Sequence, residues 1–125
     1  MKKEKLTCLL SIPKNYNPDK LVQALEKQDI NIVIHNGENF DELYTADFVV
    51  VLLKPRSLMG YAVTGLSARE NKKILVIQNA DYSKHDFLDR KGSVRCIIPL
   101  RKTEEIEKEI LKFIKNKRIK RLKTV

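Results

Sequence analysis

The chain has little of what the commonest sites are built from. It holds two cysteines in 125 residues, and Cys8 and Cys96 both lie in apolar runs without a Cys-x-x-Cys pair or a neighbouring Cys/His set. They read as buried free thiols and not as a disulfide or a zinc site. It has four glycines, none of them in Ser11-Ile-Pro-Lys-Asn-Tyr-Asn-Pro18, the loop behind the first apolar run. Dinucleotide fingerprints and P-loops need glycine there so that backbone can approach phosphate, and both are excluded. Neither a Gly-x-Ser-x-Gly elbow nor a His-Glu-x-x-His helix is present. No cofactor and no metal is expected. His35 and His85 stand alone and read as surface turn residues, not as catalytic bases. No apolar run approaches the ~18 residues that a membrane span needs. Met1-Lys-Lys-Glu-Lys5 lacks the apolar stretch of a signal peptide, so a soluble, cytoplasmic protein is expected.

What is present is one domain's worth of core and an uneven charge. Hydrophobic residues make up 42% and charged residues 33%, a globular composition, and neither an internal repeat nor a linker interrupts it. The net charge is +9, but residues 112–125 hold seven bases and no acid: Lys112, Lys115, Lys117, Arg118, Lys120, Arg121 and Lys123. Residues 1–5 add two further net positive charges, which leaves 6–111 formally neutral. The organisation expected is a single α/β domain over 1–111, followed over 112–125 by the basic end of the last helix and a C-terminal tail. Those seven bases are the candidates for contact with a polyanion, such as a weak contact with nucleic acid.

The order of elements follows from the pattern. Leu6–Ile12, closed by Pro13, reads as a buried strand, and Asn17-Pro18 caps a helix with Leu21, Val22 and Leu25 inward. Ile30–Ile34 is a second strand, ended by the turn His35-Asn36-Gly37. A short helix over Phe40–Ala46 leads into Phe48–Leu53, whose unbroken apolarity predicts a central parallel strand. Gly60–Asn71 reads as a helix, Ile74–Ile77 as a strand, 79–92 as a polar excursion with one irregular helical turn, and Val94–Leu100 as a fifth strand. Thr103 is a plausible N-cap for a last helix with Ile106, Ile110, Phe113 and Ile114 inward. This predicts a three-layer, open parallel sheet of five strands, flavodoxin/TIR-like in order 2-1-3-4-5. A ligand in such a sheet sits beyond the carboxyl ends of the strands where the order reverses, here near Ser11–Asn17, Asn39 and Lys54–Gly60. A response-regulator receiver is disfavoured, because the first strand is not followed by paired acids that could hold a magnesium ion.

Three stretches in order carry a family likeness: Asn39-Phe-Asp-Glu-Leu-Tyr-Thr-Ala-Asp47 with the apolar run behind it, Ser57-Leu-Met-Gly60-Tyr-Ala-Val-Thr64, and Lys73-Ile-Leu-Val-Ile77. Over residues 36–78 the chain resembles the nucleoside 2-deoxyribosyltransferase-like proteins and, more distantly, TIR-like domains. The resemblance implies a nucleoside or nucleotide ligand and a homo-oligomer. It places the family's helix glutamate on Thr64 and its preceding aspartate on Asn39, both neutral here. Cleaving an N-glycosidic bond builds positive charge on the sugar that a carboxylate must stabilise or attack, so glycosidic activity is expected to be lost. Glu70, six residues beyond Thr64, lies about 600° further round the helix and does not replace it.

The ligand-binding candidates are Ser11, Tyr16, Asn39, Arg56, Ser57, Gly60 and Thr64. Each has a plainer reading beside it: Ser57 as a helix cap, Thr64 as a packing residue, Gly60 as a tight turn, Tyr16 as a lid on the domain's own core. Arg56, with its forked donors, is the candidate anion contact. The expectation is therefore a nucleoside- or nucleotide-binding domain without catalytic residues. Two alternatives stand beside it. One is an adaptor or nucleic-acid-associated module acting through the basic tail; the other is an active N-glycosidase or deoxyribosyltransferase drawing a carboxylate from Asp41, Glu42 or a partner chain.

Overall fold

Strands form where unbroken runs of β-branched and aliphatic residues can be covered on both faces, and helices form where the apolar stripe is one-sided. In the computed structural model, described for residues 5–35, 40–54, 58–79 and 93–119, this gives nine elements. They are β1 (Leu6–Ser11), α1 (Asp19–Glu26), β2 (Ile30–His35), α2 (Asp41–Thr45), β3 (Phe48–Leu53), α3 (Leu58–Arg69), β4 (Ile74–Gln78), β5 (Ser93–Ile97) and α4 (Thr103–Asn116). All strand pairs are parallel and the sheet order is β2-β1-β3-β4-β5, the flavodoxin-like order expected.

The two faces of the sheet divide the core by strand periodicity. Cys8, Leu10, Phe48, Val50, Leu52, Leu75 and Ile77 point to one side, where Leu21 and Leu25 of α1 and Ile106, Ile110 and Phe113 of α4 cover them. Leu9, Val49, Val51, Leu53, Ile74 and Val76 point to the other, under Leu43 and Ala46 beside α2 and Val63 of α3. Every residue of β3 is buried, as its lack of alternation predicts. Burial raises the thiol pKa of both cysteines, Cys8 strongly and Cys96 to about 12, so both are held as neutral thiols.

Several boundaries differ from expectation for local reasons. β5 stops at Ile97, short of Leu100: the Ile98 N–H still donates to the Gln78 carbonyl, and the chain then turns towards α4, the Pro99 carbonyl accepting the Lys102 N–H. Thr103 is the first helical residue of α4, and Lys102 holds the cap position without a side-chain cap. Before α1, Pro18 takes the cap position, and the Asn17 side-chain oxygen accepts the Asp19 N–H at 3.0 Å. His35 is buried, not on the surface, with its ring 5.0 Å from that of Phe40.

Polar bonds tie the amino ends of the strands. The Asp47 carboxylate accepts the Thr7 N–H at 2.7 Å while the Asp47 N–H donates to the Thr7 carbonyl at 2.8 Å, which extends the β1–β3 ladder by one step. The Lys72 ammonium, close enough to Asp47 for attraction, donates to the carbonyls of Ala46 (2.7 Å) and Tyr44 (3.2 Å), which close α2. Burial lowers the Lys72 pKa despite that attraction. Lys73 donates to the Lys117 carbonyl at the end of α4, placing a cation on the negative end of the helix. α3 and α4 end alike: Asn71 and Arg118 take left-handed backbone (φ 58 and 51), and the next N–H reaches back to Ser67 and Ile114 respectively. Ile119, just beyond Arg118, then packs on the α1/α4 core.

Candidate functional site

The carboxyl ends of the strands gather residues that lie far apart in the chain. β1 ends at Ser11, buried between β2 and β3 opposite His35 and Val51. The chain then turns through Pro13, whose carbonyl accepts the Tyr16 N–H at 3.3 Å, with Asn15 in the left-handed region (φ 67). Asparagine tolerates that conformation, so the loop turns sharply without glycine. Tyr16 is half-buried against the α1/α4 core, and burial raises its phenol pKa. β3 delivers Lys54 and β4 delivers Asn79, whose N–H donates to the Leu53 carbonyl at 3.3 Å. The turn after β5 supplies Pro99, Leu100 and Arg101; the Pro99 carbonyl accepts the Lys102 N–H at 2.9 Å.

Tyr16, Lys54, Asn79, Pro99, Leu100 and Arg101 line a cavity of about 350 Å³. Two of the six are cations and none is a carboxylate. Arg101 also borders a second cavity of about 540 Å³ between α1 and α4, where Lys20 and Lys102 face Glu104, Glu105 and Glu107. In the first cavity a tyrosine ring, a proline and a leucine supply apolar wall, while the charge is positive. That chemistry suits an anion with an apolar stem.

Of the ligand-binding candidates among the described residues, Tyr16 lines this cavity. Thr64 is fully buried on α3, and its hydroxyl donates to the Gly60 carbonyl at 2.8 Å, the back-bond of a helical threonine. Gly60 is buried within α3. Asn39, Arg56 and Ser57 lie outside the described residues, as do His85, Lys120, Arg121, Lys123 and, beyond Asn79, the excursion to residue 92. Lys112, Lys115 and Arg118 are exposed on or just past α4, with Lys117 half-buried beside them. Sequence reasoning included Lys54 in the crevice loop but missed Asn79 and Arg101. The signal was positional: Asn79 directly follows β4, and Arg101 stands in the turn that joins β5 to α4.

No family model matches the chain, and no curated protein matches it in sequence. Its fold is found among solved structures. A response regulator from Thermotoga maritima superposes with a TM-score of 0.63 at 17% identity, covering 89% of this chain and 98% of that one. The signal receiver domain of the response regulator NarL from Mycobacterium tuberculosis gives 0.60 at 18% identity, covering 90% and 98%.

At such identities the likeness is one of fold. It still overturns the expected nucleoside- or nucleotide-binding function of the deoxyribosyltransferase or TIR type, which rested on a resemblance of fold and short motifs. The neighbours are receiver domains, and Ala46-Asp47 before an apolar strand has a local cause in the clamp on Thr7. A receiver, disfavoured by the lack of paired acids after the first strand, is matched in fold: missing acids bear on chemistry and leave the fold open. The magnesium ion that paired acids after the first strand would hold does not fit the residues present. Ser11 ends β1 and Ile12-Pro13 follows it, Lys54 follows β3, and a hard divalent cation needs carboxylate oxygens, not two cationic neighbours. Among the described residues no group of three or more His, Cys, Asp or Glu side chains could hold a metal. None of the described helices is long and apolar enough to cross a membrane.

Proposed function

We propose that this chain is a receiver-fold signalling module that acts by binding a protein partner and does not accept a phosphoryl group. The observation that carries the reading is the crevice lining, which among the described residues holds Lys54 and Arg101 and no carboxylate. Phosphoryl transfer to a side chain needs a nucleophile within reach, and for an acyl phosphate that nucleophile is a carboxylate. It also needs a metal ion to neutralise the charge that develops, which the same carboxylates would hold. A lysine and an arginine supply neither function, but they supply what a binding site for an acidic partner requires.

Incubation with acetyl phosphate and magnesium chloride, followed by intact-mass measurement, tests this. The expected result is an unchanged mass. A phosphoryl adduct that hydroxylamine removes would mark an acyl phosphate and overturn the reading.

A further inference from the structure

We infer that the crevice at the carboxyl ends of the strands is a receptor for an acidic side chain of the partner, an aspartate or glutamate on an exposed peptide segment. The inference rests on the reading of a binding module and names the chemistry it binds.

The cations come from two directions: Lys54 from the end of β3 and Arg101 from the turn before α4. A guanidinium presents two parallel N–H donors that match a carboxylate, and an ammonium adds a compact charge that needs no fixed orientation. Arg101 has no ion-pair partner among the described residues, although Glu104 and Glu105 stand only three and four places away. Glu105 pairs instead with Lys102, at 3.6 Å. The guanidinium is thus left at the junction of the two cavities.

The remaining walls match the rest of an acidic residue. Tyr16, Pro99 and Leu100 offer apolar surface to side-chain methylenes, and the Asn79 amide can bond a peptide group. The volume, about 350 Å³, lies near the lower end of the ~300–1,000 Å³ range of ligand pockets, the scale of one side chain with its flanking backbone. The adjoining cavity, with acids and bases on its walls, gives that backbone a path away over α1 and α4.

Amide-resolved NMR titration of the full chain tests this with N-acetylglutamate amide, its neutral counterpart N-acetylglutamine amide, and inorganic phosphate. N-acetylglutamate amide is expected to shift the Tyr16, Asn79, Leu100 and Arg101 amides saturably, and N-acetylglutamine amide to leave them in place. Arg101→Gln should weaken the glutamate titration roughly tenfold, the loss of one charge-assisted pair. Shifts from phosphate without shifts from the glutamate probe would assign the crevice to a free anion and overturn the side-chain source. No saturable shift from either anion would overturn the site altogether. Both failures are separate from that of the preceding reading, which is seen in the mass after acetyl phosphate.

Discussion

The two ends of the sheet are built differently. At the amino ends, polar groups face polar groups at bonding distance: Asp47 on Thr7, Lys72 on Ala46 and Tyr44, Lys73 on the end of α4. At the carboxyl ends, two cations and a phenol surround a cavity instead. Helices α1 and α4 start at that end, and α3 and α4 finish at the other under left-handed caps. The amino end therefore holds the domain together, and the carboxyl end carries a cation-lined cavity. That division is general for parallel α/β sheets, where ligands sit beyond the carboxyl ends of the strands.

The largest effect expected follows from breaking the amino-end clamp. Asp47→Ala removes the acceptor of a 2.7 Å bond and leaves the Thr7 N–H and the Lys72 ammonium without it. The cost expected from urea unfolding is about 2–3 kcal/mol, the range for bonds to a charged group whose partner is left behind. Asp47→Asn, which keeps an acceptor, should cost about 1 kcal/mol. Arg101→Gln at the opposite end, on an exposed residue, should stay within about 0.5 kcal/mol of the parent. Equal losses at both ends would erase the contrast.

A smaller effect, of opposite sign, is expected from the cap of α4. Arg118 sits at φ 51, a region in which an L-residue with a full side chain pays about 1–2 kcal/mol that glycine avoids. Glycine returns part of that gain through the greater freedom of its unfolded chain. Arg118→Gly should therefore raise stability by about 0.5 kcal/mol, seen as a higher urea midpoint with an unchanged slope. Asn71→Gly at the equivalent position of α3 should gain less, because asparagine already tolerates this backbone.

How much of this was legible in the chain depended on how local the cause was. The apolar run Phe48–Leu53 announced a central strand, and the sheet order followed from the alternation of elements. Ile106, Ile110 and Phe113 declared the buried face of α4 by spacing alone. Asp47 was visible but misread: its motif resembled a family signature, while its work is a bond to Thr7, forty residues earlier. Thr64 was likewise assigned to a site on a motif, and its hydroxyl is spent four residues back on Gly60. The crevice was the least legible part. Tyr16, Lys54, Asn79 and Arg101 meet only because β1, β3, β4 and β5 lie side by side, and no local pattern links them.

The smallest effect expected is in alkaline solution, where the two ends should titrate with opposite signs. Burial lowers the Lys72 pKa from 10.5, so between the lowered value and 10.5 the unfolded chain holds more protons than the folded one. Stability contributed at the amino end therefore rises with pH across that window. Burial raises the Tyr16 phenol from 10, so at the crevice the stability is complete below pH 10 and is lost as pH climbs through the folded value. Both groups are only partly buried, so each contribution is screened by solvent and has to be read as a difference between variants. Lys72→Met should remove a rise in the urea midpoint below pH 10.5, and Tyr16→Phe should remove a fall above pH 10. A common sign in the two variants would mean that the ends of the sheet are not distinguished by how they bury charge, and the contrast would then rest on the hydrogen bonds of Asp47 and Lys72 alone.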